Sequence, residues 1–513
     1  MTHVTKKVVI VGGGTAGWIT AGRIAAKHKQ QVEVVLVESP NVAPIRVGEG
    51  TWPTMRNTLI QLGIRETDFI RACDASFKQG AKFAKWTTNE ANDFYYHPLM
   101  LPQGFGQGDL TTYWHQLQQQ ANCGSFSTSV CFQEALCEQN LAPKTIRCAE
   151  FSHIANYAYH LDSAKFSTFL QQHCINQLGI TQIIDDVVAV NSNENGDIAS
   201  VSTRQNGLID GDLFVDCTGF ASLLLGGHYQ VPFNDCSDVL FIDTALAVQV
   251  PYAEPDADIA SHTISTGQPA GWIWDIGLQT RRGVGYVYAS QYTTEQQAQD
   301  CLAQYVGPAV DKLEVRKIPI RSGHRSKFWQ NNCVAVGLSA GFLEPLEASA
   351  LVLVELAAEM ISEQLPATRT VMDIVAKRFN ETFLYRWQKI IDFLKLHYIL
   401  SKRQDNDFWR DNRDPRTIPD SLLELMELWR YRAPADLDFT SNNEVFPAAS
   451  YQYVLYGMGF KQTLAHTQTM PTDWSFEQQQ FTQNQKMIAQ AVANLPSNRA
   501  LLDKIKQYGF SHI

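Results

Sequence analysis

The sequence predicts a mixed α/β (α+β) protein: a Rossmann-like, dinucleotide-binding domain followed by a mainly helical lobe. Three observations carry this. A β-branched run, Val8-Val-Ile-Val11, leads directly into Gly12-Gly13-Gly14-Thr15-Ala16-Gly17 and a helical stretch from Trp18 to Ala26. Strand-like and helix-like stretches alternate through the first half. From about Thr368 the chain turns helical and rich in Trp, Tyr and Leu. At 513 residues there is chain enough for a full core in two lobes. The expected division is 1–367 and 368–513, with the aromatic-rich, irregular segment 51–152 lining a pocket.

The first element is the strongest. Gly12 permits a tight turn, Gly14 lets backbone approach a pyrophosphate, and Gly17 lets helix and strand pack closely. A second strand, Gln31 to Val37, ends in Glu38, an acid about 20 residues on and suited to a ribose 2′-OH. The motif alone does not choose between NAD and FAD. Ser76 to Trp86 alternates with period two: Phe77, Ala81 and Phe83 on one face, Lys78 and Lys82 on the other. Periodicity alone makes this a half-exposed strand with a solvated lysine face. Ile183 to Val190 and Ile198 to Thr203 flank the polar turn Asn191 to Gly196 and read as a hairpin. Leu213 to Asp216 reads as another strand, closed by the turn at Gly219.

In the segment from Gly337 to Ala350, Gly and Pro bound a turn, and Glu347 precedes the helical run Leu351 to Ile361. A helix N-terminus offers unpaired amides and a positive dipole end. If Ser349 and Ala350 open that helix, their amides suit a small anion beside a carboxylate. The segment by itself favours a plainer reading, a loop-to-helix junction with an exposed glutamate.

The net charge of −10 argues against nucleic acid as the main partner. The ten cysteines and thirteen histidines show no metal-ligand spacing, so no metal is expected, and scattered cysteines suit reduced thiols in a cytoplasmic protein. A strand beginning at Lys6 or Lys7 leaves no signal peptide to expect. No apolar run reaches the ~18 residues of a membrane span.

Many ordered motifs together resemble the flavin-dependent tryptophan halogenases over nearly the whole chain. They are Val11 to Trp18, Val47-Gly48-Glu49-Gly50-Thr-Trp-Pro53, Ser76-Phe-Lys78 with Lys82 to Trp86, Gly271-Trp-Ile-Trp274, Asn331 to Val334, Gly337 to Glu347, and His397-Tyr398 with Asp407 to Trp409. The resemblance implies an FAD-binding box domain of the single-component flavoprotein monooxygenase type with a helical substrate lobe. It implies reduced FAD from a separate flavin reductase, O2, and chloride or bromide. A flavin hydroperoxide oxidises the halide to hypohalous acid, which a lysine then delivers to an electron-rich ring. Lys78 matches that lysine and Glu347 the glutamate that accepts charge or a proton. The halide maps to Ser349 and Ala350. FAD contacts map to Gly12 through Gly17, Glu38, Val47 to Gly50, Val188, Leu338 and Leu351. A lysine shielded from water is a reactive amine, and a preorganised carboxylate stabilises positive charge developing on a ring.

The chain departs from the family in places. W-x-W-x-I-P becomes Trp272-Ile-Trp274-Asp-Ile276-Gly277, which reads as a loosened turn. F-x-x-P-x-x-S-x-G becomes a run from Phe342 to Ala350 with Ala348 and Ala350 at its last two motif positions; Ala350 is harmless only at negative φ. Around the substrate, the matching run is Tyr95-Tyr96-His97-Pro98-Leu99, with Leu99 where an aromatic is expected, and by a looser alignment Phe446 replaces a tryptophan. The clamp for an amino acid's charged groups looks short around Asn442 to Phe446. These changes favour a neutral indole, another electron-rich aromatic or a carrier-bound substrate over free tryptophan. An aromatic hydroxylase without halide chemistry, and a non-catalytic flavin- or aromatic-binding protein, are the alternatives. Retention of both Lys78 and Glu347 argues against a mere binder. A homodimer is left open.

Overall fold

The structure, a computed structural model, describes residues 4–42, 48–120, 123–441, 444–463 and 473–511. The chain divides into two units that interleave along the sequence. One comprises Met1–Ala75, Leu161–Ser237 and Ile320–Gln388; the other comprises Ser76–His160, Asp238–Pro319 and Lys389–Ile513. Composition had placed one division after residue 367. Composition tracks helix content, whereas the units follow the pairing of strands far apart in sequence.

The first unit is built on a six-stranded sheet. Its order is Trp329–Gln330, Cys333–Ala335, Leu213–Asp216, Lys7–Val11, Glu33–Glu38, Thr181–Ile184. All neighbours are parallel except the first pair. Its central strands are continuous β-branched runs because both faces are covered. On one face Val9, Val11, Val35, Val37 and Phe214 pack with Ile198, Val201 and Ile209 of a small antiparallel sheet. Helix Thr15–His28 packs against helices Ser163–Leu178 and Ser349–Glu363. The expected hairpin is present as Val187–Ser192 with Ile198–Thr203, but Ile183 belongs to the parallel sheet instead, beside Val37.

The second unit is built on a seven-stranded sheet ordered Arg316–Pro319, Thr244–Pro251, Arg281–Tyr288, Gly271–Gly277, Thr263–Gln268, Gly80–Ala84, Phe94–Pro98. Only the pair Thr263–Gln268 and Gly80–Ala84 is parallel. Leu246, Val248, Ile273 and Tyr286 pack under Ala298 and Leu302 of helix Glu295–Val306. The segment 51–152, read as irregular, holds three strands and five helices among its described residues. The helical C-terminal region includes Arg369–Ile399, Ala448–Gly457, Ser475–Asn494 and Asn498–Tyr508. All ten cysteines are free thiols. Among the described residues no helix is long and apolar enough to cross a membrane.

Candidate functional site

The glycine turn of the first unit has the form its sequence requires. Gly12 has φ 117° and donates its N–H to the Val37 carbonyl at 2.8 Å. A Cβ on Gly12 would lie 2.1 Å from the Cys217 carbonyl oxygen, and one on Gly17 would lie 1.9 Å from the Gly12 carbonyl oxygen. A Cβ on Gly14 would meet nothing within 4 Å. Gly14 caps helix Thr15–His28 without a side-chain hydrogen bond, so the first-turn amides of Thr15, Ala16 and Gly17 lack side-chain capping. Gly13 packs against Glu38, since a Cβ there would come within 2.1 Å of its carboxyl carbon.

Glu38 ends the Glu33–Glu38 strand and accepts from Gln182 Nε2 at 2.8 Å; burial pushes its carboxyl up. Gly48, Glu49 and Gly50 form a short strand, and desolvation pushes the Glu49 carboxyl up to about 7. Leu338 sits in the Gly337–Ser339 turn, and Leu351 is buried in the helix after it. A turn with open amides and an acid at the next strand end fits a dinucleotide. Val188 is 54% exposed on the Val187–Ser192 strand, and Val47 lies outside the described residues.

The junction at Glu347 is not the exposed loop the segment suggested. Glu347 is buried, and it and Ala348 take left-handed backbone, φ 63° and 56°. Such conformations cost an ordinary residue roughly 1–2 kcal/mol each, and persist where surroundings hold them. Trp52 Nε1 donates to the Glu347 carbonyl at 2.9 Å. The double turn launches helix Ser349–Glu363, which also lacks a side-chain cap. Ser349 and Ala350 therefore do open the helix, with Ser349 buried and Ala350 exposed. Ala350 has ordinary helical backbone, so replacing glycine there brings no strain. Two turns further on, Glu355 accepts from the Thr54 and Thr58 hydroxyls at 3.2 and 2.5 Å, and burial pushes it up to about 8.

In the second unit the alternating lysine strand breaks at Gln79. Ser76–Lys78 pairs antiparallel with Ala158–Asp162, setting Ser76 opposite His160 and Lys78 opposite Ala158. Gly80–Ala84 instead joins the large sheet. This corrects the solvated lysine face: Lys78 is 3% exposed, whereas Lys82 reaches Glu138 at 2.5 Å and covers the Phe94 ring. One periodic run feeds two sheets, which periodicity cannot reveal. Gly277 is likewise no loose turn: it pairs with Arg282 in a strand, and its carbonyl accepts from Ser76 Oγ.

His97 and Phe446 come together in the same unit. His97 is buried with Nε2 2.9 Å from Ser450 Oγ, and its ring centre is 6.4 Å from that of Phe446. Phe446 stacks on Phe393 at 3.9 Å, and Tyr451 meets Phe393 edge-on at 4.8 Å. Leu99 is half-buried just past the strand end, its N–H donating to Gln133 Oε1 at 2.8 Å. Asn442 and Asn443 of the expected clamp lie outside the described residues. Phe393, Ser450, Tyr451, Trp52 and His160 were not singled out from sequence. Phe393 and His397 lie one helical turn apart, a spacing that points to a shared face, and Trp52 stands inside the motif Val47 to Pro53, but nothing local marks Ser450, Tyr451 or His160.

Comparison with known proteins gives a consistent result. The family model described as tryptophan halogenase matches residues 7–472. The 7-chloro-L-tryptophan 6-halogenase KtzR of Kutzneria sp. (strain 744) is 34% identical, covering 97% of this chain and 99% of its own. The tryptophan 6-halogenase SttH of Streptomyces toxytricini is 33% identical over 89% of this chain and 90% of its own. Among solved structures, a tryptophan halogenase from Shewanella frigidimarina NCIMB 400 superposes with TM-score 0.96 at 51% identity, covering 99% of both chains. BrvH, a flavin-dependent halogenase from Brevundimonas sp. BAL3, superposes with TM-score 0.87 at 30% identity, covering 98% of this chain and 99% of its own.

Proposed function

The chain belongs to the tryptophan halogenase family, and from that premise we infer that it is a flavin-dependent enzyme that places chloride or bromide on an electron-rich aromatic ring of the indole or tryptophan class. The observation that carries this reading is the burial of Lys78. A strand lysine without a role would keep its ammonium in water, because burying that charge is costly. Here the side chain is 3% exposed.

The Gly12–Gly17 turn, Glu38, Gly48 to Gly50, Leu338 and Leu351 would hold FAD, with Val47 and Val188 as further contacts. Bound in its reduced form, supplied by a separate flavin reductase, FAD with O2 provides the oxidising power that turns halide into hypohalous acid. The amides of Ser349 and Ala350 hold the halide, where the helix dipole favours an anion. Lys78 then binds the hypohalous acid by hydrogen bond, or as a haloamine, and presents electrophilic halogen to the ring. Glu347 stabilises the cationic ring that results and takes up its proton.

His97, Leu99 and Phe446 contact the aromatic substrate. Leu99 and Phe446 in place of larger aromatics support a neutral indole, another electron-rich aromatic or a carrier-bound substrate over free tryptophan. Tight, saturable binding of L-tryptophan by calorimetry would sink that preference.

The test is turnover followed by mass spectrometry. The protein is supplied with FAD, NADH, a flavin reductase, O2 and chloride or bromide, with tryptophan, indole and related aromatics as substrates. A halogen isotope doublet that disappears in Lys78→Ala supports the reading. An oxygenated product, or hydrogen peroxide alone with either halide, overturns it.

A further inference from the structure

Three neighbouring parallel strands of the first unit end side by side, and each runs into a turn. Lys7–Val11 runs into Gly12 to Gly17, Leu213–Asp216 into Cys217 to Ser222, and Cys333–Ala335 into Gly337–Ser339. Hydrogen bonds tie these turns together. The Cys217 N–H donates to the Val11 carbonyl at 2.8 Å, and Ser222 Oγ donates to the Ser339 carbonyl at 3.0 Å. The crevice outside the carboxyl ends of parallel strands is where such sheets take their ligands.

The sheet order gives that crevice a direction. Glu38, suited to the ribose of an adenosine half, ends the strand on one side of Lys7–Val11, and Leu213–Asp216 lies on the other side. A pyrophosphate on the Gly12–Gly17 turn therefore sends the other half of a dinucleotide over Cys217 to Ser222 and Gly337–Ser339.

An aromatic corner stands on that side. Phe220 is 48% exposed and meets the half-buried Phe342 edge-on, ring centres 5.9 Å apart; Leu223 beside it is 42% exposed. The loop that presents Phe220 is firmly built. Ser222 is fully buried and takes left-handed backbone, φ 42°, which side chains disfavour. Asp216, also fully buried, accepts from Thr218 Oγ1 at 2.6 Å and from the N–H groups of Leu224 and Leu225 at 2.9 and 2.8 Å, where Leu223–His228 forms a π-type turn. Strained residues and π turns gather at functional sites, held by their surroundings. Here the surroundings fix the backbone and leave about half of the Phe220 ring uncovered.

We propose that Phe220, with Phe342 at its edge, is the shelf on which the flat isoalloxazine ring of FAD lies, and that it sets the affinity for the flavin half of the cofactor. This rests on the reading of the first unit as an FAD site. A conjugated ring seated on an aromatic side chain gains more than the burial of its area alone. The adenosine half, on the Glu38 side, takes nothing from this contact.

Equilibrium dialysis with two ligands tests this. Oxidised FAD carries the flavin half, and ADP lacks it. Phe220 is exposed, so replacing it leaves the core intact. Phe220→Ala is expected to weaken FAD roughly five- to twentyfold and ADP less than twofold, while Phe220→Tyr, which keeps the ring, binds both like wild type. Equal weakening of FAD and ADP overturns the proposal in favour of a loop that merely supports the glycine turn. Unchanged FAD affinity in Phe220→Ala overturns it as well; if that substitution instead lowers the mass seen by light scattering, the corner belongs to a contact between copies of the chain.

Failure of the FAD reading is recognised in the wild type, which then binds no FAD, and it removes the shelf with it. Absence of halogenation alone leaves the proposal to be decided by dialysis, which needs no turnover.

Discussion

The indole N–H of Trp52 donates to the backbone carbonyl of Glu347 at 2.9 Å. The bond links residues 295 apart and holds the first of two consecutive left-handed residues. Trp52→Phe keeps the ring and removes the donor. It is expected to cost about 1–2 kcal/mol and to lower kcat more than it raises KM, because the carboxylate of Glu347 loses its fixed direction. Denaturant unfolding and steady-state kinetics measure the two effects; unchanged kcat would show that Glu347 is held by other contacts.

The left-handed backbone at Ala348 and the helical backbone at Ala350 make opposite predictions for one substitution. Ala348→Gly relieves conformational strain but adds freedom to the unfolded chain, for a net gain of up to about 1 kcal/mol. Ala350→Gly relieves nothing and costs roughly 0.5–1 kcal/mol. Thermal unfolding of the two variants should move in opposite directions.

Glu355 gives stability a pH dependence. Its carboxyl titrates near 4.5 in an unfolded chain and about 8 in the fold, raised mainly by burial. Between these values the native state binds the extra proton, so stability is full below about pH 4.5 and is lost as pH rises through about 8. Glu355→Gln keeps the shape and stays neutral. It is expected to match wild type near pH 5 and exceed it by up to a few kcal/mol above pH 8, with a flatter profile by denaturant titration. Parallel profiles for the two proteins would count against the raised value.

The bond between His97 and Ser450 sits beside the stacked pair Phe393 and Phe446. Ser450→Ala leaves His97 Nε2 without this partner and is expected to cost about 1–2 kcal/mol. The aromatic's KM should rise while the halide's stays the same, because only the ring's seat is disturbed. Phe446→Ala opens a cavity in a fully covered stack and is expected to cost about 3–5 kcal/mol. Calorimetric unfolding checks the second figure.

The nucleotide turn was legible in the sequence because its constraints are local. Gly12, Gly14 and Gly17 are required by distances between backbones a few residues apart, and strand, turn and helix follow one another without a break. The start of the helix at Ser349 was legible for the same reason. The resemblance to the family pointed to Lys78, Glu347 and His97 within short runs of residues, and to Phe446 by a looser alignment.

Burial and partnership were not local, and only the tertiary structure decided them. Phe77, Ala81 and Phe83 alternate with Lys78 and Lys82 as if on one strand, yet the break at Gln79 sends the two halves into different sheets, burying one lysine and leaving the other at an ion pair. Glu347 read as exposed, and Trp52, distant in sequence, holds its carbonyl. His160 carries no signal in its own segment; strand register sets it opposite Ser76 and diagonal to Lys78. The sequence by itself determined the fold class, the nucleotide turn and the residue types available for chemistry, since these depend on short-range backbone geometry. Which lysine is dry and which glutamate carbonyl is held depend on strand pairing and packing between residues far apart in sequence, which no local pattern encodes.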